Sequence, residues 1–170
     1  MCRDRSRRRP STSRSDCREL IGIRLEQLSP DERRTLEAAS VAGDAFVVAS
    51  VAAALDEPVE AVEARCEHLA GQGLMISEAG VTEWPDGTIS GLYRFQHALY
   101  RHVLYQGIAE MRRVRLHRAV GAREETAYGE HARARAAQLA MHFTRGRERP
   151  RALTLSPDGR GGGARSGRAA

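Results

Sequence analysis

The sequence LYRFQHALYRHVLY, residues 92–105, contains three of the four tyrosines in the chain. Its first four residues alternate between apolar and polar, as in a strand with one buried face. From His97 onward, the leucines and the valine recur with the spacing of one helical face. We therefore predict a strand that runs directly into a helix, with His97 at the junction. The rest of the chain is interpreted as a small helical module built around this junction.

Upstream of the junction, the pattern predicts a short helix followed by three main helices. A short one covers Glu19 to Leu28. The next begins with a capping box, in which Ser29 caps, Pro30 takes the first helical position and Glu32 returns a hydrogen bond to the cap. This helix is predicted to reach about Ala42, where Gly43 ends it.

Two more helices are predicted before the hairpin. A hydrophobic one runs from about Phe46 to Leu55, and the sequence Asp56-Glu57-Pro58 opens another. The apolar side of that third helix carries Val59, Val62, Cys66 and Leu69. The sequence Gly71-Gln72-Gly73 is predicted to stop it.

A β-hairpin is predicted next. Leu74–Ser77 is a candidate strand, Trp84–Thr88 has the Pro-Asp-Gly chemistry of a turn, and Gly91–Phe95 is the returning strand. Beyond it, helices are predicted over His97–Leu104, from about Ile108 to Tyr128, and over Glu130–His142. The last two are interpreted as an antiparallel helical pair.

The predicted fold class is mainly α. Residues 19–105 are expected to form a winged-helix-like domain whose wing is the β-hairpin, and residues 106–144 a helical pair that could start a TPR-like array. Residues 1–18 and 145–170 are expected to be disordered, because Arg, Ser, Gly and Pro dominate them and no apolar periodicity survives.

The charge of the chain is concentrated in its two ends. All 27 basic residues are arginine, and seven of them lie in residues 1–18 and seven in residues 145–170, each set against two acids. The middle holds 13 arginines and 18 acids. The net charge of +5 therefore says nothing of a nucleic-acid surface on the predicted fold.

Several kinds of site have no motif in this sequence. A phosphate loop needs a lysine, which the chain lacks, and neither a GxSxG nor an HExxH motif nor a paired-cysteine zinc pattern occurs. His97 and His102 are five residues apart, so they diverge on a helix and suit one metal poorly. We expect no enzyme activity, no catalytic residue and no metal in this chain. Cys66 is predicted to be a small core residue.

No signal peptide or membrane span is predicted, so the expected location is the cytoplasm. Direct DNA binding is also disfavoured. The helix that would enter the major groove, Pro58–Ala70, sets four carboxylates around one arginine: Glu57, Glu60, Glu63 and Glu67 around Arg65. These carboxylates would repel the phosphates that line the groove.

Five short sequences together resemble one family. They are LEQLSP at 25–30, EAASVAG at 37–43, VTEWPDGT at 81–88, YRFQHAL at 93–99 and LAMHF at 139–143. In combination they resemble the region that follows the nucleotide-binding core in STAND-type AAA signalling ATPases. The resemblance implies a winged-helix domain that packs on that core, followed by TPR-like helices, in a protein that binds ADP or ATP with magnesium.

The resemblance also implies a role for one histidine. Related ATPases carry a His-x-Leu motif whose histidine contacts the phosphates of bound ADP, and His97-Ala98-Leu99 is similar to it. His97 is therefore expected to sense the phosphates, with Arg94 in support. The core itself is absent from this sequence, so we expect a fragment that relays the nucleotide state of a core in cis to the following repeats.

Two other functions stay open from the residues alone. A stand-alone winged-helix regulator would bind duplex DNA with an affinity that falls steeply with salt. A protein-interaction adaptor would use the acidic third helix and the C-terminal helical pair.

Overall fold

The computed structural model describes residues 21–73 and 75–148. Within them the chain is mainly helical, with one small antiparallel sheet, as the sequence predicts. The helices are α1 (21–26), α2 (Pro30–Ala42), α3 (Val48–Leu55), α4 (Val59–Gly71), α5 (Ala98–Gly107), α6 (Glu110–Tyr128) and α7 (Ala136–Arg145), with a 3-10 helix at Gly129–Arg135. The strands are β1 (Ala45–Val47), β2 (Ile76–Glu83) and β3 (Ile89–Phe95). The predicted tail 1–18 and most of the tail 145–170 lie outside the described residues.

The start of α2 confirms the predicted capping box. The backbone N–H of Glu32 donates to the Ser29 hydroxyl at 3.3 Å, and the Ser29 N–H donates to the Glu32 carboxylate at 2.8 Å. The latter bond lowers the pKa of Glu32. At the other end, the Gly43 N–H donates to the carbonyl of Ala39 and closes the helix at Ala42, as predicted.

The second predicted helix begins two residues later than expected. Phe46 and Val47 belong to β1, which pairs antiparallel with β3. The Phe46 ring lies against Tyr93 and Phe95 of β3, with ring centroids 6.1 and 5.6 Å away. A short apolar run fits a strand as well as a helix, so the spacing of its residues does not show where the strand ends and the helix begins.

The predicted hairpin is confirmed, but its strand bounds differ: β2 begins at Ile76 instead of Leu74, which lies outside the described residues, and β3 begins at Ile89 instead of Gly91. β2 extends to Glu83, and a bulge between Glu78 and Gly80 shifts its register against β3. The turn closes where the Trp84 N–H donates to the Thr88 carbonyl at 2.9 Å and Gly87 adopts a φ of 82°. The order of the strands is β1-β3-β2, so the strand that enters the junction lies at the centre of the sheet.

The turn of the hairpin is fastened to α6. The Arg123 guanidinium contacts the Asp86 carboxylate at 2.9 Å, donates to the Thr88 hydroxyl at 2.7 Å, and lies 4.8 Å from the centre of the Trp84 ring. The same indole packs on Tyr128, at the end of α6. This group of contacts, which we call the turn clamp, joins the hairpin to the C-terminal helices.

The predicted helix Glu130–His142 is wrong in its first half. Residues Gly129–Arg135 form a 3-10 helix, and α7 covers Ala136–Arg145. Gly129 has a positive φ of 45° that ends α6, and the following HARAR sequence has too few apolar residues to hold a helical face against the core. The C-terminal pair is therefore α6 and α7, joined by a tighter segment.

One hydrophobic core runs through most of these elements. It includes Leu36 of α2, Val51 of α3, Cys66 of α4, Tyr93 of β3 and Leu116 of α6. Burial raises the pKa of the Cys66 thiol to about 12, which agrees with its predicted role as a core residue. Because α6 packs on α2 and α3, the predicted helical pair shares this core with the preceding domain.

The predicted apolar faces of α1 and α4 are largely confirmed. Ile21 and Leu25 are buried, as are Val62 and Leu69. Val59, at the first position of α4, is an exception with 37% of its surface exposed. In the part of the chain that the structure describes, no helix combines the length and the apolar character that a membrane crossing requires.

Candidate functional site

The backbone holds the strand-to-helix junction in place on two sides. The Phe95 N–H donates to the carbonyl of Asp44, and the Gln96 N–H donates to the carbonyl of Met75, both at 2.9 Å. The Gln96 side chain adds a longer bond of 3.4 Å to the carbonyl of Ile76. The chain therefore enters α5 from a fixed direction.

His97 is the N-cap residue of α5, in an extended conformation with φ −138° and ψ 135°. Its carbonyl accepts from the Tyr100 N–H at 3.1 Å, but its imidazole makes no capping hydrogen bond. The side chain is exposed, and its ring lies 5.8 Å from the Tyr100 ring. The structure thus places the imidazole in solvent beside the first free amides of a helix, where an anion is favoured.

Arg94 lies on the exposed side of the central strand, opposite Ala45 on β1 and Ser77 on β2. Among the described residues, no hydrogen bond, ion pair or ring contact joins Arg94 to His97. The predicted pair is therefore not assembled into a single cluster.

His97 and His102 belong to no cluster of three or more potential metal ligands within the described residues. His102 is exposed on α5 and lines an open cleft beside Arg101. Residues 21–73 and 75–148 contain no group of three or more His, Cys, Asp or Glu side chains that could hold a metal ion.

The one arginine of α4 is already engaged. The Arg65 guanidinium forms an ion pair with Glu57 and donates to the Thr35 hydroxyl at 2.7 Å. Only 19% of its side chain is exposed. Glu63 in turn accepts a hydrogen bond of 3.2 Å from the Tyr93 hydroxyl. The solvent-facing charge of α4 is therefore acidic.

Sequence reasoning missed a buried histidine pair. His117 of α6 and His142 of α7 are 1% and 0% exposed, and their Nδ1 atoms lie 3.0 Å apart. The Nε2 atom of His117 lies 3.0 Å from the Tyr105 hydroxyl. Nε2 of His142 is buried and has no hydrogen-bond partner among the described residues.

The hydrogen bond between the two rings requires one Nδ1 to donate and the other to accept, so at least the accepting ring is neutral. Burial lowers the pKa of His117 to about 3 and that of His142 to about 4. For His117, the other ring and the guanidinium groups of Arg145, Arg113 and Arg101 act in the same direction.

The approach of α6 to α7 explains why these rings meet. Gly121 lies at the crossing, where a Cβ atom would come within 3.1 Å of the His142 Cβ and 3.2 Å of the Phe143 ring. The sequence does hold a signal for this contact. Val114, His117 and Gly121 follow the spacing of one helical face, which marks His117 as facing inward.

A second buried polar group lies further along α6. The Glu124 carboxylate is 3% exposed and accepts hydrogen bonds of 3.4 Å from the Ser50 hydroxyl and the Gln138 amide. Burial raises the pKa of Glu124. Three helices, α3, α6 and α7, are therefore joined through one carboxylate.

Comparison of the chain with protein-family models, with curated proteins and with solved structures gave no match in any of the three. The resemblance to STAND-type ATPases therefore stays a prediction from the sequence.

Proposed function

We propose that this chain is the regulatory module of a nucleotide-switch ATPase of the STAND type, and that it relays the ADP or ATP state of a separate core to the helices that follow it. In this proposal residues 19–105 act as a winged-helix domain and residues 106–144 as the first TPR-like helices. The chain itself has no catalytic role.

The arrangement of secondary structure supports a winged-helix assignment. Three helices, α2 to α4, precede a hairpin whose second strand is central, and β1 between α2 and α3 completes the sheet. The antiparallel contact of α6 with α7 supports a helical-repeat start. These two features are similarities in the order and arrangement of the elements, and they give the proposal general support only.

The observation that carries the proposal is the state of His97. A residue at an N-cap ordinarily uses its side chain to satisfy the helix amides. His97 leaves its imidazole exposed and unbonded, while the hydrogen bonds of Phe95 and Gln96 fix its backbone. A rigidly held, unused donor at a helix N-terminus suits contact with a group on another domain.

These residues fit the phosphates of a nucleotide held by such a core. His97 would donate from its ring, the free amides at the start of α5 would face the anion, and Arg94 would add positive charge. When bound to the core, ADP or ATP supplies the phosphate charge that differs between the two states. A ligand can shift the equilibrium between closed and open forms only by its different affinity for them.

The test uses the full chain in trans. A STAND-type core that lacks its own winged-helix domain is loaded with fluorescent ADP, and the rate of ADP release is measured with and without this chain. We expect the chain to slow release and the His97→Ala variant to lose most of that effect. Arg115→Ala, an exposed change on α6, is the matched control and should behave as the parent chain. Equal release rates with and without the chain would contradict the proposal.

The charges of α4 argue against the alternative of direct DNA binding, because Arg65 is committed to Glu57 and the free groups of this helix are carboxylates. The same acidic surface would serve the adaptor alternative. A salt titration of duplex binding and a search for a co-purifying partner distinguish these two functions from the relay.

A further inference from the structure

The surface of α5 that faces α7 borders a basic cleft centred on Tyr105. One part has a volume of about 600 Å³ and is lined by Asp44, Leu99, Arg101, His102, Tyr105 and Arg145. A second part of about 380 Å³ shares Tyr105 and Arg145 and adds Arg113 and His117, together with the paired side chains of Glu110 and Arg147. The two parts meet at the Tyr105 side chain, and we call them together the Tyr105 cleft. Its volume lies in the usual range for small-molecule sites.

The positive charge of this cleft is not balanced. The guanidinium carbons of Arg113 and Arg145 lie 5.0 and 5.7 Å from the centre of the Tyr105 ring. In the described part of the chain neither of these two side chains has an ion-pair partner. Both cations lie within about 6 Å of the centre of one ring, so an anion bound beside that ring would be attracted by both.

The other charges at the cleft are already paired. Arg101 contacts Asp44 at 3.0 Å and donates to the carbonyl of Ser40 at 3.0 Å. Arg147 pairs with Glu110. These acids neutralise their own partners, so the excess charge is localised on Arg113 and Arg145.

We propose that the Tyr105 cleft binds a small phosphate monoester, with the phosphate between Arg113 and Arg145 and the body of the ester toward Arg101 and Asp44. This inference does not depend on the relay function, since it uses neither His97 nor a nucleotide-binding core. A planar guanidinium matches two phosphate oxygens at once, and two such groups favour a dianion over a single carboxylate.

Tyr105 and Asp44 give the cleft its selectivity. The Tyr105 hydroxyl lies 3.4 Å from an Arg145 nitrogen and 3.0 Å from His117, so an anion that contacts Arg145 also meets this hydroxyl. The Asp44 carboxylate, with 73% of its side chain exposed, can accept hydrogen bonds from hydroxyl groups on the ester. A hydroxylated phosphate ester therefore satisfies both ends of the cleft.

Binding in this cleft has a signature in the buried histidine pair. The groups that face His117 are Arg101 and Tyr105 from α5, Arg113 from α6, and His142 and Arg145 from α7. A phosphate beside Arg113 and Arg145 offsets the positive field that lowers the pKa of His117. The ring of His117 then becomes easier to protonate, although the ligand does not touch it.

The experiment titrates the full 170-residue chain with glycerol 3-phosphate, inorganic phosphate and sulfate at constant ionic strength. Nitrogen-15 NMR follows the arginine side chains and the ring nitrogens of His117, so that binding to the terminal arginines is seen separately. We expect saturable shifts at Arg113, Arg145 and His117, with glycerol 3-phosphate tighter than inorganic phosphate and sulfate weakest.

The variants separate a built site from general charge attraction. Arg145→Ala should weaken glycerol 3-phosphate binding by about tenfold or more, the scale of one lost charged hydrogen bond. Arg115→Ala removes the same charge from α6 outside the cleft and should change binding less than twofold. Arg145→Lys keeps the charge and should lose less than Arg145→Ala, which covers the case in which the alanine variant does not fold.

Shifts that never saturate, or equal losses for Arg115→Ala and Arg145→Ala, would overturn the assignment. Saturable binding that moves His97 or the terminal arginines and leaves Arg145 unchanged would overturn it as well. Equal affinities for inorganic phosphate and glycerol 3-phosphate would support the phosphate position and contradict the contact of the ester with Asp44.

Discussion

Two regions of this molecule hold histidines in opposite surroundings. At the start of α5, His97 is exposed and its ring forms no capping bond. Between α6 and α7, the rings of His117 and His142 are buried and bonded to each other. The same side chain is thus available to an outside ligand in one place and committed to packing in the other. Stability should depend on the second region, whereas direct contact of a ligand with a histidine ring is expected in the first.

The largest effect is expected where α7 packs. Phe143 is fully buried against Leu139 and Ala132, so Phe143→Ala should lower the free energy of unfolding by about 3–5 kcal/mol. Met111→Ala, on α6 with 60% exposure, is the control and should stay within about 0.5 kcal/mol. Urea denaturation measures both. A small loss at Phe143 would mean that α7 contributes little to the fold.

The histidine pair should make the fold sensitive to acid. Each ring has a pKa of 6.5 when unfolded and about 3 or 4 when folded, so the unfolded chain binds more protons below neutrality. The stability is fully present above pH 6.5 and is lost as the pH falls toward the folded values. Between pH 8 and pH 5 we expect a loss of about 2 kcal/mol per histidine.

Denaturation of variants at both pH values assigns this loss to the pair. His117→Gln should shrink the difference between pH 8 and pH 5 by about 2 kcal/mol, and His142→Gln should do the same. His131→Gln is the control, because it also removes one histidine but at an exposed position in the 3-10 helix. An unchanged difference in the His117 variant would refute the buried neutral pair.

A smaller effect is expected in the sheet that leads to His97. A Cβ atom on Gly91 would collide with the Glu63 carboxylate and lie 3.0 Å from a Tyr93 ring carbon. Gly91→Ala should therefore cost about 1–3 kcal/mol, partly by displacing Glu63 from the Tyr93 hydroxyl.

The same substitution in a Glu63→Ala background should cost less, because the obstructing carboxylate is gone. The difference between the two costs is the coupling energy of the pair. Additive losses in thermal or chemical denaturation would show that Glu63 does not lie over Gly91.

The smallest effect is expected at His97 itself. Two helix starts can be compared. The Ser29 hydroxyl caps α2, whereas the side chain of His97, the N-cap residue of α5, forms no capping hydrogen bond. Ser29→Ala should cost about 1 kcal/mol, and His97→Ala should change the free energy of unfolding by less than about 0.5 kcal/mol. A loss at His97 as large as that at Ser29 would make its role structural.

The sequence predicts features whose causes are local. The capping box at Ser29 and the Pro-Asp-Gly turn depend on neighbouring residues, and both lie where predicted. The local pattern predicts a helix at Phe46, because the partner that makes it a strand, Tyr93, is 47 positions away. Pairing between residues so far apart in the sequence does not change the local pattern of apolar residues.

The candidate sites divide in the same way. The sequence singles out His97 because it stands at a change of period, which is a local signal. The partner of His117 lies 25 residues away and is set by how closely Gly121 lets α7 approach. Likewise, Arg113 and Arg145 read as ordinary surface arginines until the fold brings both to Tyr105. These sites depend on the distances between helices, and the spacing of residues in one sequence does not show those distances.

The turn clamp has a mechanical consequence. Arg123 holds Asp86 and Thr88 at the tip of the hairpin, and it lies only six residues from His117 on the same helix, about 9 Å along the axis. Because α6 is a continuous helix over this distance, a displacement of the hairpin tip would be transmitted through Arg123 to the part of α6 that carries His117. A partner that displaces the hairpin tip would therefore also load the contact between α6 and α7. The tip of the hairpin is thus mechanically coupled to the C-terminal helices.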